Sequence, residues 1–358
     1  MSRLRRSRRG LAIMAVMGVL FFVGRILWAN GVFSAVPTGF AGSCKLAATV
    51  PGVEDIEIVN GMVFVAVGSE RGPDPRDGIY LFSDDGRLRK LAGGPKDFHP
   101  RGIGSYRSPD GSGIFLLVVN RNSVQPVRTG TLFNNRFSVD TFEVSNPTTA
   151  PALVAQGTIE GGLLNDPKDV AAAGPGAFYV SNGTAKDGLS AALTSLGILP
   201  GSNILYFNGM SFRVVAEDVY DARGILLTPD GNHLLVASLT ARSLKSFGRE
   251  VFSGNLTEED GVTLPAAPEK IVLDANGSVW VAAHADLSRW RNFAKDARTP
   301  APSEILRTNL LSGVPQPAQQ VYGNAGSQIA AASVAAGIGR RLLIGSSLDN
   351  KLLDCLAP

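Results

Sequence analysis

A pattern that recurs six times, closely spaced hairpin turns and the lack of a long helical period beyond residue 42 predict an all-β fold. The expected architecture is a single six-bladed β-propeller with a central channel. Glycine (41 residues) and proline (21 residues) are abundant, as many short strands joined by tight turns require. We expect residues 1–41 to form a basic, hydrophobic signal or anchor segment with a linker, and residues 42–358 to form the propeller.

The N-terminal segment combines a positive cluster with an apolar run. Five arginines lie within the first nine residues, and an apolar stretch follows from Leu11 to Gly24. Positive residues stay on the cytoplasmic side, so this order predicts export of the rest of the chain. We expect an uncleaved signal-anchor that holds the propeller on the periplasmic or cell-surface side of a membrane. Secretion after cleavage near Gly39-Phe40-Ala41 is the alternative.

The two cysteines, Cys44 and Cys355, lie near the two ends of the predicted propeller. A ring is weakest at the seam where its chain ends meet, so this placement predicts a disulfide that closes the seam. Such a bond would close a loop of about 310 residues and contribute on the order of 5 kcal/mol. It would also imply an oxidising compartment, in agreement with export. Two buried free thiols are the alternative.

Each repeat begins with two polar or small residues and a β-branched residue, followed by a turn and an apolar strand. In the fourth repeat these parts are Arg223-Gly224-Ile225, Pro229-Asp230-Gly231 and Leu234-Leu235-Val236. Asp-Gly and Asn-Gly turns between apolar runs are strong hairpin signals. The repeats recur about every 45 to 65 residues, the length of a four-stranded blade. A β-sandwich is the alternative, but it would not produce six similar units.

The leading pair of each repeat is expected at the start of an innermost strand. Radial symmetry then gathers all of these pairs at one mouth of the channel, which is therefore the predicted site. The pairs are Glu54-Asp55, Arg101-Gly102, Lys168-Asp169, Arg223-Gly224, Glu269-Lys270 and Ala332-Ser333. Residues 189–199 depart from the pattern and predict a short apolar helix. That helix either packs over the mouth as structural cover or forms a lid or a lipid-contacting surface.

The charge pattern excludes nucleic acid as a partner. The formal net charge is +3, and five arginines already lie in the first nine residues, so the remainder is near neutral. The sequence contains no basic stripe with interleaved aromatic residues. It also contains no glycine-rich phosphate loop, zinc-spaced Cys/His set or Gly-x-Ser-x-Gly elbow.

Several sequence blocks resemble the paraoxonase/arylesterase family, and they occur in the family's order. They include Val53 to Ile58, Pro100 to Ile103, Thr228 to Gly231 and Leu342 to Gly345, flanked by Cys44 and Cys355. Any one block would be a weak match, but the set covers nearly the whole exported part. The gluconolactonase and strictosidine-synthase-like propellers are the neighbouring alternative. The terminal cysteines and the block order favour the paraoxonases.

This resemblance implies calcium-dependent hydrolysis of lactones or aryl esters at the channel mouth, with one structural and one catalytic calcium. By position, the structural-calcium ligands are Asp55, Asp169 and the backbone carbonyl of Ile103. Of the catalytic-calcium ligands, only Glu54 is retained, and Glu269 replaces an aspartate. Basic residues stand at the remaining positions. Lys168, Arg223 and Lys270 replace asparagine ligands, and Arg101 and Arg121 replace the two histidines proposed as the general base.

Ammonium and guanidinium groups cannot ligate calcium. Four acids of the expected ring (Glu54, Asp55, Asp169, Glu269) face four bases (Arg101, Lys168, Arg223, Lys270), so the ring can neutralise itself. We therefore expect basic side chains in place of the catalytic calcium, and a structural calcium retained at Asp55 and Asp169. Replacement ligands from Asn165, Asp166 and Asn182 are the alternative.

Two classes of function stay open. In the first, the protein is an ester or lactone hydrolase in which Arg101 or Arg223 stabilises an oxyanion and His99 is the displaced base. In the second, it is a non-catalytic, membrane-anchored module that binds an anionic small molecule or a protein partner. The ligand site would then be lined by Glu54, Arg121, Lys168, Glu269 and Lys270. An open, positive ring would favour an anion, and an internally salt-bridged ring would favour a structural role.

Overall fold

A computed structural model describes residues 2–35, 38–108, 110–111, 113–122, 136–147, 149–184 and 186–357. Pro109 of the turn predicted in the second repeat lies outside the described residues, as do the side chains of the N-terminal arginine cluster. The described strands form six sheets arranged around a channel. The predicted six-bladed propeller is therefore confirmed.

Helix α1 (Ser2–Ala29) and strand β1 (Ser43–Ala48) precede the first blade. From the channel outwards, blade 1 consists of β2 (Val53–Val59), β3 (Met62–Val67), β4 (Gly78–Phe82) and β5 (Leu88–Lys90). Blade 2 consists of β6 (Pro100–Arg107), β7 (Ile114–Asn122), β8 (Arg136–Ser145) and β9 (Ala152–Ile159). Blade 3 consists of β10 (Asp166–Gly174), β11 (Ala177–Gly183), β12 (Ser202–Phe207) and β13 (Phe212–Val219), with helix α2 (Gly188–Ser195) before β12.

Blade 4 consists of β14 (Ala222–Leu227), β15 (His233–Ser238), β16 (Ser243–Arg249) and β17 (Leu256–Thr263). Blade 5 contains β18 (Ala267–Leu273), β19 (Ser278–His284), helix α3 (Leu287–Lys295) and β20 (Ser303–Leu311), and both β21 (Val314–Pro315) and β22 (Gln319–Asn324) pair with β20. Blade 6 contains β23 (Val334–Ile338), β24 (Arg341–Gly345) and β25 (Leu352–Leu356), and β1 is its outermost strand.

The hairpins form where the turn residues predict them. Asn60 and Gly61 between β2 and β3 have φ angles of 53° and 74°. A two-residue hairpin turn needs positive φ at both positions, and Asn-Gly is the pair that adopts it with least strain. The turn therefore fixes the register in which Val59 faces Met62.

The hydrophobic core lies between neighbouring blades, because each sheet is covered on both faces. Val65 of β3 packs with Val334 and Leu343 of blade 6, whereas Phe64 of the same strand packs with Leu116 of blade 2. Successive side chains of a strand point to opposite faces, so the second strand of a blade is apolar at almost every position. This packing holds the inner strands in place around the channel.

The first and last strands close the ring. β1 pairs antiparallel with β25, and Cys44 lies opposite Cys355 in that register. Their side chains form a disulfide across a sequence separation of 311 residues. The predicted disulfide is therefore confirmed, and the alternative of two free thiols is wrong.

Helix α1 presents a row of exposed apolar side chains, including Val19, Leu20 and Phe21. Among the described residues, no helix has both the length and the apolar character needed to cross a membrane. Membrane anchoring by this segment therefore stays a prediction.

Reduction of the disulfide is expected to destabilise the propeller. Because the bond closes a loop of 311 residues, its loss should lower the free energy of unfolding by on the order of 5 kcal/mol. Urea denaturation with and without dithiothreitol measures this difference. The variants Cys44→Ser and Cys355→Ser should both match the reduced protein, and reductant should not change either of them. An unchanged unfolding midpoint on reduction would contradict a stabilising role for the bond.

Candidate functional site

The inner strands of blades 1 to 5 each carry a β-bulge at or beside the leading pair. The strand register shifts between Val53 and Asp55, Pro100 and Ile103, Pro167 and Asp169, Ala222 and Ile225, and Pro268 and Ile271. A bulge opposes two residues to one and re-aims a side chain. The polar side chains at these bulges consequently meet at the mouth where the inner strands begin.

At the centre of the channel the Lys270 ammonium joins two carboxylates. Its Nζ lies 3.0 Å from Asp169 Oδ1 and 3.3 Å from Asp55 Oδ2, and it donates to the Lys168 carbonyl oxygen at 2.8 Å. The side chains of Lys270, Asp55 and Asp169 are each at most 4% exposed. An ammonium has three hydrogens to donate, and all three have acceptors here.

Backbone amides satisfy the remaining oxygens of the two carboxylates. Asp55 accepts from its neighbour Ile56 at 2.9 Å and from Ile103 of blade 2 at 3.0 Å. Asp169 accepts in the same way from Val170 at 2.9 Å and from Ile225 of blade 4 at 3.0 Å. Burial raises the pKa of Asp169 well above its usual range despite Lys270, and the neighbouring Asp55 carboxylate acts in the same direction.

These residues, as arranged, do not fit a calcium ion. The space between the carboxylates of Asp55 and Asp169 holds an ammonium, which repels a second cation. Ile103 contacts Asp55 through its amide N–H, and the expected role of its carbonyl as a ligand stays a prediction. In the described part of the chain, no group of three or more His, Cys, Asp or Glu side chains has the arrangement of a metal site. These contacts therefore do not support the retained structural calcium.

Around this centre, Arg101 bridges blades 1, 2 and 3. It donates to Glu70 at 2.5 Å, to Asp166 at 2.8 Å and to the Pro167 carbonyl at 3.0 Å. Arg121 lies 3.7 Å from the second Glu70 oxygen and donates to the Ser69 carbonyl at 2.8 Å. Burial raises the pKa of Glu70, but the Arg101 and Lys168 cations outweigh burial and hold that pKa well below its usual range.

The other side of the ring is paired in the same way. Lys168 lies 2.7 Å from Asp166. Arg223 donates twice to Asp221, at 2.9 and 3.1 Å, and once to Glu269 at 3.0 Å. His284 contacts the second Glu269 oxygen at 3.3 Å. Burial raises the pKa of Glu269, but Arg223 and His284 outweigh burial and together lower that pKa to about 2.

Glu54 differs from the other acids of the mouth. Its side chain is buried, and burial together with the Glu70 carboxylate raises its pKa to about 8 despite the nearby Arg101. At neutral pH it therefore carries a proton, whereas Glu70, Asp166 and Glu269 are ionised. Each basic side chain predicted at the mouth has a carboxylate partner, so the ring is internally salt-bridged.

Three acids of the ring were not expected there: Glu70, Asp221 and, as an ion-pair partner, Asp166. The sequence carries a signal for two of them, because Asp166 precedes Lys168 and Asp221 precedes Arg223 by two positions. Glu70 follows β3 in a loop, and no local pattern links it to Arg101.

Helix α3 covers the ring. Asp286 caps its first turn by accepting from the Ser288 and Arg289 amides at 2.8 and 3.0 Å. Trp290 lies with its ring centre 5.2 Å from that of His284 and 5.4 Å from the Arg223 guanidinium. Arg71 of blade 1 donates to the Phe293 carbonyl at 2.7 Å and to the Ala294 carbonyl at 3.1 Å. Blades 1 and 5 thus hold α3 across the mouth.

The apolar helix predicted over residues 189–199 is present as the shorter α2. None of its residues is buried, and Leu189 is 74% exposed. It lies beside α3, because Arg291 donates to the Ser195 carbonyl at 2.6 Å. Arg291 also donates to Asn30 just after α1, so the end of α1 meets both helices above the mouth.

His99 lies outside the ring, in a cleft next to it. Its Nδ1 is 2.7 Å from Asp77 Oδ2, and its Nε2 is 3.1 Å from Asp97 Oδ1. The cleft has a volume of about 670 Å³ and is lined by residues 73–75, 77–79 and 90–99. Because β3 runs antiparallel to β2, the loop after β3 lies at the end where β2 begins. The connection from β5 to β6 reaches that end too, so the cleft opens on the face of the mouth.

Loss of Arg101 is expected to destabilise the protein strongly near neutral pH. Arg101→Met leaves Glu70 and Asp166 without their shared cation, and breaking such a buried pair costs about 3 kcal/mol or more. In the wild type, the pKa of Glu70 is lower in the folded state than the value of about 4.5 in the unfolded state. Ionised Glu70 therefore stabilises the fold above about pH 4.5, and this contribution is lost as the pH falls. The deficit of the variant, measured by urea denaturation, should therefore be largest near pH 7 and shrink below about pH 4.

The matched control is Arg76→Met. Arg76 pairs with Asp74 at 2.9 Å but is 56% exposed, so its removal should change the free energy of unfolding little at any pH. Equal costs for the two variants would contradict the importance of the buried ring.

Comparisons with known proteins agree with this architecture. A family model described as Arylesterase matches residues 87–356. Serum paraoxonase/arylesterase 2 of Homo sapiens is 29% identical over 321 residues, which cover 85% of each chain. Two solved structures share the fold alone. A luciferin-regenerating enzyme aligns at 10% identity with a TM-score of 0.54, covering 88% of this chain and 95% of its own. A gluconolactonase from Xanthomonas campestris aligns at 13% identity with a TM-score of 0.51, covering 88% of this chain and 90% of its own. Because the family model spans most of its length, the chain belongs to the arylesterase family.

Proposed function

We propose that this protein hydrolyses small esters or lactones in the cleft beside the channel mouth, with His99 as the general base. The contact between His99 and the buried Asp77 carries the proposal. Family membership supplies the reaction class, since the human relative is named an arylesterase. No catalytic calcium takes part, and the ring of basic residues stands in its place.

The His99–Asp77 pair has the geometry of a positioned base. Asp77 is 1% exposed, and its Oδ2 lies 2.7 Å from Nδ1 of His99. A carboxylate at Nδ1 holds the proton on that nitrogen, so Nε2 can accept a proton from a water molecule once Asp97 has moved away from it. Asp97 lies 3.1 Å from Nε2 and is 44% exposed, so the mechanism requires its side chain to turn towards solvent when a substrate arrives. The water oxygen adds to the ester carbonyl as Nε2 takes its proton, and the imidazolium returns that proton to the leaving oxygen as the C–O bond breaks.

The ring itself offers no equivalent chemistry. Arg101 and Arg223 were expected to stabilise an oxyanion, but each already donates to two carboxylates. Helix α3 covers Arg223, so a substrate carbonyl has no direct path to it. Lys96 is exposed on the wall of the cleft and is a better placed cation for a developing oxyanion.

A non-catalytic, membrane-anchored propeller is the second candidate. The closed ring favours it, because each cation at the mouth is already neutralised. For the same reason, the ring is a poor site for an anionic small molecule. A protein partner would have to bind the exposed surface formed by α2 and the end of α1.

Substitution of His99 is expected to remove hydrolysis. His99→Gln should lower kcat for phenyl acetate and for an aliphatic lactone by about 10²-fold or more, as loss of a general base does. Asp77→Asn should reduce kcat as well, because the imidazole then loses its orienting carboxylate. The wild type should keep its rate in a calcium chelator.

The control for these variants is His233→Gln, since His233 pairs with Glu259 on blade 4, far along the chain from the cleft. It should leave kcat unchanged. Full activity of His99→Gln, or loss of wild-type activity in chelator, would contradict the proposed mechanism. A wild type with no activity on either substrate class would favour the non-catalytic candidate.

We also propose that the propeller works outside the cytoplasm, tethered to a membrane by the N-terminal segment. The disulfide and the arginine cluster support this placement. In cells that express the full chain, the propeller should be cut by protease added to the outer face, and its cysteines should resist alkylation until reduced. A chain that starts at residue 42 is the control and should stay inside with free thiols. Protection of the full chain from external protease would contradict this proposal.

A further inference from the structure

We infer that Lys270 is a built-in central cation of this propeller, and that its side chain fills a latent divalent-cation site formed by Asp55, Asp169 and the Lys168 carbonyl. The inference concerns stability and metal binding, and it does not depend on the proposed hydrolase function.

The position of the ammonium is the first support. Its three contacts, at 2.8, 3.0 and 3.3 Å, are all to oxygen atoms, and two of those oxygens belong to carboxyl groups. An isolated ammonium would not be buried to this degree, because transfer of an unpaired charge out of water is strongly unfavourable. The carboxylates and the ammonium therefore require one another.

The chemistry of the surrounding atoms is the second support. Carboxylate and backbone carbonyl oxygens are the ligands that calcium takes from proteins, at distances of about 2.3–2.6 Å. No nitrogen acceptor or thiolate lies among the contacts of the Lys270 ammonium. If the side chain at position 270 ended sooner, the same oxygens would face a space of ionic size. An asparagine there would add an amide oxygen to the set.

The third support is that the cation joins parts of the ring that are distant in sequence. Lys270 belongs to blade 5, Asp55 to blade 1 and Asp169 to blade 3. The Lys270 amide also donates to the Ser333 carbonyl at 3.1 Å, and the Ser333 hydroxyl donates to the Val53 carbonyl at 2.8 Å. Lys270 and Ser333 thus link blades 5, 6 and 1. Because the ammonium itself joins blade 5 to blades 1 and 3, loss of its charge should be felt by the whole fold.

The test compares the thermal midpoints of two variants, Lys270→Asn and Lys270→Met, which both lack the ammonium. Lys270→Asn should lower the thermal midpoint in chelator by on the order of 10 °C, because two buried carboxylates lose their cation. Millimolar calcium should restore about half of that shift, since an ion that binds the folded state stabilises it. Lys270→Met fills the space without an oxygen ligand, so it should be destabilised equally and should gain less from calcium.

Measurements on the wild type decide the question, since they do not depend on whether a variant folds. After dialysis against chelator it should contain no bound calcium, and added calcium should leave its thermal midpoint unchanged. Lys245→Asn removes another ion-paired lysine, at 2.6 Å from Glu258 on the surface, and should show no response to calcium. If Lys270→Asn does not fold in chelator, refolding with and without calcium gives the same comparison.

Stoichiometric calcium in the wild type, or a drop in its midpoint in chelator, would overturn the inference. A Lys270→Asn variant as stable as the wild type in chelator would overturn it as well. A destabilised variant that ignores calcium would overturn the latent site. None of these outcomes bears on whether His99→Gln loses esterase activity, so the two proposals fail separately.

Discussion

The ammonium of Lys270 between the carboxylates of Asp55 and Asp169 is the interaction on which the arrangement of the blades depends. Each carboxylate also accepts an amide from the following blade, Ile103 for Asp55 and Ile225 for Asp169. Four inner strands are therefore attached to one pair of acids, and a fifth supplies the cation. Inter-blade hydrophobic packing brings the strands together, but it does not neutralise the acids at their centre. The ammonium supplies that neutralisation.

The same requirement explains the ring around the centre. Once Arg101, Lys168 and Arg223 are largely removed from water at the mouth, each needs a negative partner. The start of β10 provides Asp166, and loops provide Glu70 and Asp221. A cation that is paired on both sides has little capacity to stabilise new charge on a substrate. We therefore propose that the mouth mainly holds the blades together and that the reactive groups lie beside it, where the loops after β3 and β5 leave a cleft.

The sequence predicted those parts of the structure that local residues determine. Asn60-Gly61 and the apolar strand after it specify a hairpin without help from distant residues, and six such units imply a ring. The leading pairs were placed at the mouth for the same reason. Partner choice could not be predicted, because it depends on closure of the ring: nothing near Lys270 in sequence indicates that it reaches blades 1 and 3. The bulge before Ile103 likewise turns an amide, not a carbonyl, towards Asp55.

A covalently attached cation differs from a bound metal in two physical respects. The stability that a bound ion provides depends on its free concentration, whereas an attached ammonium is always present at its site. An ammonium also has no vacant coordination position, so it cannot polarise a carbonyl as a Lewis acid does. If Lys270 takes the place of the metal as we propose, the propeller does not depend on the calcium supply, and hydrolysis proceeds by activation of water. An imidazole backed by a buried carboxylate can perform that step without a metal, which is why we propose the contact between His99 and Asp77 as the catalytic pair.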